Sequence, residues 1–190
     1  VDRRELEKLA TFFDGEVVRE TKAAHLAAGH EFNVASPKQL QVVLFDELNL
    51  PKTKKIKTGF TTDAESLDWL FAKTKHPILK HLLRIRETSK LLTTVDGLID
   101  ATANDGRIHT IFQQTVTATG RLSSTNPNLQ NIPVRTDRGK EIRKAFIPRD
   151  KDHVLVSADY SQIELRIVAA ISGDENMCEA FRTGKDIHTA

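Results

Sequence analysis

Apolar residues Leu6, Leu9, Phe13, Val17, Ala24 and Ala28 keep mostly helical spacing, so residues 4–28 are predicted to form a long amphipathic helix. Gly29 is placed to end it in the left-handed conformation. Ser36, Pro37 and Gln39 form a capping-box start, with Leu40, Val43, Leu44 and Leu48 following on one face. Thr62 and Glu65 repeat that signal ahead of Leu67, Leu70 and Phe71, and Pro77 opens a pattern through Ile78, Leu82, Ile85 and Leu92. The first hundred residues thus read as helical. Between the second and third helices lies PKTKKIKTGFTTD, residues 51–63, crowded with Lys52, Lys54, Lys55 and Lys57.

After Asn104 the pattern changes. Asp105-Gly106 is a turn signal, and residues 107–117 are β-branched and partly alternating, which predicts a strand. TATGRLSSTNPNLQNIPVRT, residues 117–136, lacks apolar periodicity and is expected to be irregular. A short basic helix over 139–146 should lead to a buried strand over 153–158 that closes on Asp159. Ser161 is then expected to cap a helix to Ile171, Gly173 to close it, and Asp174 to cap another that ends near Gly184.

With 39% hydrophobic and 28% charged residues, the 190-residue chain is of ordinary globular composition, enough for one domain or two small ones. No apolar stretch is long enough for a membrane span and the start is charged, so a cytoplasmic protein without a membrane partner is expected. Cys178 is the single cysteine, which leaves neither an internal disulfide nor a cysteine cluster for zinc. A net charge of +2 does not identify a nucleic-acid binder, so the distribution of charge carries more information than its sum.

Asp159 raises the first chemical question, because an ionised carboxylate on a buried strand needs a cation, a metal or N–H donors. It could bind a metal, and it could equally solvate the strand end or cap the next helix. Ser161 and Glu164 have capping-box spacing, and spacing alone favours that role for Glu164. The lysine loop could be a solvated connection, although its Thr58, Gly59, Thr61 and Thr62 also suit phosphate oxygens. Arg121, Asn126, Asn128, Gln130, Asn131 and Arg135 are dense in donors and acceptors, and turn chemistry explains them as well as ligand contact does. His188 could simply begin a helix.

Taken together, DYSQIELR at 159–166, the 117–136 segment, ISGDE at 171–175 and DIHTA at 186–190 resemble the family A DNA polymerases, of the bacterial DNA polymerase I type. The resemblance spans nearly the whole chain. It implies an α+β fold: a helical thumb over 1–103 with a DNA-binding loop at 51–63, the first part of a β-sheet palm over 104–174, and the first helices of the fingers from 175. It also implies template-directed addition of deoxynucleotides to a primer 3′-hydroxyl by two-metal phosphoryl transfer, in replication and repair. Asp159 and the Tyr160 carbonyl would hold two Mg2+ ions. Ser161, Gln162, Ile163, Glu164 and His188 would face the incoming nucleotide, Glu164 as the gate against a ribose 2′-hydroxyl. Lys54, Lys55, Lys57, Thr58, Thr61, Lys90, Arg121, Asn128, Gln130, Asn131 and Arg135 would contact primer-template DNA. A monomer associated with the nucleoid is implied.

Two positions depart from the pattern. Gln113 stands where the family usually shows Asn, and Val95 stands where many relatives carry Tyr, which puts a thumb contact there in doubt. The resemblance places the fingers' phosphate-binding Lys and Arg and the second catalytic Asp beyond Ala190. The rival readings are a non-catalytic duplex-binding module and a magnesium-dependent nuclease.

Overall fold

The computed structural model describes residues 1–134 and 136–184, which form two compact units, Val1–Ile147 and Pro148–Ala190. In the first unit, α1 (Arg3–Ala28) and α4 (Pro77–Asp100) are long helices packed along each other. Asp2 caps α1 by accepting a hydrogen bond from the Glu5 amide, and Gly29 ends it at φ 87°, in the left-handed region that a glycine adopts without a Cβ penalty. His81 of α4 lies 2.7 Å from the Glu20 carboxylate of α1, a second tie between the two helices.

The short helix α2 (Pro37–Gln41) starts at Ser36 as the sequence predicts and runs directly into a π-helical turn, Val42–Glu47. That turn buries Val43, Leu44 and Phe45 together. Helix α3 (Ala64–Thr74) begins one residue later than Thr62 suggests. Its cap is Asp63, which accepts from the Ser66 amide at 2.8 Å, while Thr62 is buried. A carboxylate one residue on meets the helix's first amides, which a cap must satisfy.

Two apolar clusters hold this unit. One joins Leu40, Leu44, Leu67, Leu70, Ile78 and Leu82, and the other joins Leu6, Phe13, Leu91, Val95, Leu98 and Ile142. Val95 is fully buried, so its place is in the core. The second cluster receives α5 (Asp137–Lys144), capped by Thr136, whose Lys140, Arg143 and Lys144 are exposed while Ile142 is buried. Gly139 is required here, because a Cβ on it would overlap Pro133.

Of the strand expected over 107–117, only β3 (Ile111–Gln113) forms, paired antiparallel with β4 (Ser123–Thr125) inside the segment expected to be irregular. A shorter hairpin pairs β1 (Lys55–Ile56) with β2 (Gly59–Phe60).

In the second unit, α6 (Ile163–Ser172) and α7 (Glu175–Thr183) pack together, each closed by a left-handed glycine. The buried strand expected over 153–158 is not there: these residues are exposed and belong to no helix or strand, with Val154 81% and Val156 85% exposed. Its β-branched content is right, but no described strand offers it a ladder, and unpaired backbone groups stay in water. The cap expected at Ser161 also fails. Gln162 occupies the N-cap at φ 51° with no side-chain cap bond, and this left-handed residue turns the chain sharply into α6.

Candidate nucleic-acid interface

The lysine loop is a hairpin with a rigid base. Its turn carries Lys57 and Thr58, while Lys54, Lys55 and Lys57 are all exposed. Below them Phe60 packs edge-on against Phe45, with ring centres 5.5 Å apart, and Lys52 Nζ sits 5.1 Å from the Phe60 ring centre. The Thr53 hydroxyl donates to the Thr61 carbonyl at 2.5 Å, and the Phe60 amide donates to Gln41 Oε1 at 3.0 Å. Gly59, at φ 123°, lies against that same Gln41 oxygen, which a Cβ would overlap. The exposed ammonium groups therefore stand on a hairpin held at its base by Phe45, Gln41 and Thr53.

Thr61, expected to meet DNA, donates its hydroxyl to Asp63 Oδ2 at 2.6 Å. That bond, with those from Ser66, holds the Asp63 carboxyl below its ordinary value. Lys90 is exposed on α4 and lines a cleft of about 870 Å3 with Lys80, Arg84, Arg86 and Arg19, residues that sequence reading other than for Lys90 left unassigned. Glu16 lies at the floor of the cleft, 4% exposed, bound by Arg138 and approached by Arg19 at 3.1 Å and Arg84 at 3.5 Å. Burial pushes its carboxyl up, and Arg138, Arg84 and Arg19 more than reverse this, leaving it below the ordinary value. The signal that could have found this hub is an acidic residue on the otherwise apolar stripe of α1.

In the polar segment the turn reading has direct support. Asn128 accepts from the Gln130 amide at 3.0 Å and so caps the short 3-10 turn Leu129–Asn131, and Gln130 Nε2 donates to the Leu122 carbonyl at 3.3 Å. Beneath the turn, the Thr110 hydroxyl lies 2.6 Å from Ser124 Oγ and 2.7 Å from the Pro127 carbonyl. Buried Ser124 also accepts from the Leu129 amide. Sequence reading missed both hydroxyls; only Ser124's place in an alternating strand could have marked it. Asn131 and Arg121 are exposed, so this scaffold holds two polar side chains at the surface while Asn128 and Gln130 build the turn. Gln113 pairs with Ser123 in the β3–β4 ladder. Arg135 and His188 lie outside the described residues.

Asp159, Tyr160 and Ser161 are exposed on the segment that leads into α6, with Glu164 exposed on the first turn of that helix. The Ser161 carbonyl accepts from Arg166 Nε at 2.9 Å, and the Arg166 guanidinium lies 4.5 Å from the Phe181 ring centre of α7. Arg166 thus braces the turn after Asp159. Among the described residues no group of three or more His, Cys, Asp or Glu could hold a metal ion. No described helix is long and apolar enough to cross a membrane.

Comparison with known proteins agrees with this architecture. The chain is 57% identical over its whole length to the DNA polymerase I of Mycobacterium tuberculosis and 47% identical to that of Geobacillus stearothermophilus. It spans only 21% and 22% of those relatives' lengths. Its fold matches the POL domain of Pol1 from M. smegmatis, solved in complex with DNA primer-template and dNTP, with a TM-score of 0.90 and 53% identity over 99% of this chain and 33% of that one. The family profile of DNA polymerase family A matches residues 3–190, and the chain therefore belongs to that family.

Proposed function

We propose that this segment works as part of a DNA-directed DNA polymerase, in which the lysine hairpin and the polar turn hold primer-template DNA and the Asp159 segment serves nucleotide addition. The observation that carries the reading is the fold match across 99% of the chain to a polymerase domain complexed with primer-template and dNTP. Lys54, Lys55, Lys57 and Lys90 neutralise backbone phosphate without reading bases. Arg121 and Asn131 stand on the Thr110–Ser124 scaffold beside the duplex, where minor-groove acceptors are shared by all base pairs. Asn128 and Gln130 fix the loop that presents them.

The residues fit magnesium as a partial donor set. Mg2+ takes oxygen ligands, keeps water, and is commonly held by one or two carboxylates plus substrate phosphates. The Asp159 carboxylate and the Tyr160 carbonyl are such donors on an exposed segment, and they would hold the ions together with oxygens of the triphosphate. When bound, the ions supply charge stabilisation and activation of the primer hydroxyl. Asp159 orients that centre, while Ser161, Gln162 and Ile163 carry the turn that sets its direction. Glu164, on the first turn of α6, guards the sugar's 2′ position. The assembly acts as a monomer on nucleoid DNA, in replication and repair.

The test is primer extension with magnesium and four deoxynucleotides, run on a full-length polymerase carrying this segment and on the 190-residue chain alone. The reading expects extension by the former, and binding without extension by the latter. A full-length protein that binds primer-template and never extends it would contradict the polymerase assignment.

A further inference from the structure

Trp69 is the chain's only tryptophan and is 47% exposed on α3. Its neighbours Leu67 and Leu70 are fully buried and carry the core face of the helix, so packing does not account for a large aromatic at 69. Trp69 instead lines a cavity of about 480 Å3 at the base of the lysine hairpin, with Lys52, Thr53, Lys54, Thr61, Asp63, Glu65 and Ser66. That volume falls in the ~300–1,000 Å3 range of small-ligand sites. Lys73, one turn along α3, places its ammonium 4.9 Å from the Trp69 ring centre and so fixes the indole. Lys73 does not itself line the cavity, whose cations are Lys52 and Lys54.

We propose that this cavity is a stacking site for an unpaired base of single-stranded nucleic acid, with Trp69 as the platform and Lys52 and Lys54 on the adjoining phosphates. The inference rests on the reading of the hairpin as a DNA contact and adds a strand preference to it. An aromatic face beside cations is the arrangement that binds single strands without sequence preference, since every base has a π-face. A base inside a duplex has both faces covered by its neighbours and cannot use the site. Lys52 is already positioned over Phe60, and Lys54 is exposed at the entry to β1. Of the two acidic lining residues, Asp63 is spent on Thr61 and Ser66, and Glu65 repels phosphate, which favours the lysines as the backbone's contacts.

The single tryptophan makes the test direct. Binding of oligothymidylate to the 190-residue chain, followed by anisotropy of a labelled strand, should quench Trp69 emission, whereas a blunt duplex should bind with little quenching. Trp69→Ala and Trp69→Leu, the latter keeping apolar bulk without a π-face, should each lower oligothymidylate affinity at least about fivefold and leave duplex affinity within about twofold. Trp69→Phe should retain most of the single-strand affinity. Unchanged oligothymidylate affinity in folded Trp69→Leu, or equal quenching by blunt duplex, would overturn the site while leaving the polymerase reading intact if duplex binding persists. Failure of both nucleic acids to bind at low salt would overturn the hairpin's DNA role and this inference together.

Discussion

Arg138 of α5 grips the buried Glu16 carboxylate of α1 and, through its other terminal nitrogen, donates to Thr88 Oγ1 of α4 at 3.0 Å. One guanidinium therefore ties three helices. Arg138→Ala should destabilise the first unit by about 2 kcal/mol. Removing a partner from a buried pair costs roughly 3–5 kcal/mol, and here Arg84 and Arg19 still compensate part of it. Because the Glu16 carboxyl titrates below its ordinary value of 4.5, its contribution is present above that pH and fades as pH falls through the lower folded value. Chemical denaturation of wild type, Arg138→Ala and Glu16→Gln across acid pH checks both: the wild-type and Glu16→Gln curves should converge as pH drops.

Gly59→Ala should loosen the lysine hairpin. The added Cβ meets Gln41 Oε1, and the residue's φ of 123° suits only glycine. The expected cost is about 1–3 kcal/mol, confined to the hairpin and read as faster hydrogen exchange of the Phe60 amide, with weaker duplex binding. Unchanged exchange at Phe60 would show that the Gln41 contact does not hold the hairpin.

Replacing Lys54, Lys55 and Lys57 together by Ala should weaken duplex affinity equally for all sequences and flatten the dependence of log K on log salt by up to about 3, one for each phosphate that is no longer neutralised. Slopes equal to wild type would make the hairpin a solvated connection.

Glu164→Ala separates two roles for one carboxylate. If the carboxylate only capped α6, the substitution would lower thermal stability and leave sugar discrimination unchanged. In full-length polymerase it should ease ribonucleotide incorporation and mildly impair that of deoxynucleotides. Unchanged sugar discrimination would remove the gate role.

The helices of the first unit were legible because local signals and tertiary packing agree there. Leu6 and Phe13 recur on one face, Pro37 and Pro77 begin helices, and Gly29 ends one. The failures arise where a non-local partner decides. Val154 and Val156 carry strand propensity with no described ladder to join, and β4 forms in a turn-rich segment because Ile111 and Phe112 pair with it across the loop. The lysine loop and DYSQIELR stood out as motifs, but the contacts that support them did not. Thr110, Ser124, Gln41 and Arg138 act through contacts distant in sequence, and Gln162 displaces Ser161 from the cap by adopting a backbone conformation that residue type alone does not announce.

The measurement nearest the central claim is single-turnover nucleotide incorporation by Asp159→Ala in the full-length polymerase, made alongside primer-template affinity. The account predicts that affinity stays within about twofold while incorporation falls by far more than tenfold, because the carboxylate orients ions and not the duplex. Incorporation within about tenfold of wild type, roughly 1.4 kcal/mol of barrier, would contradict the role assigned to Asp159.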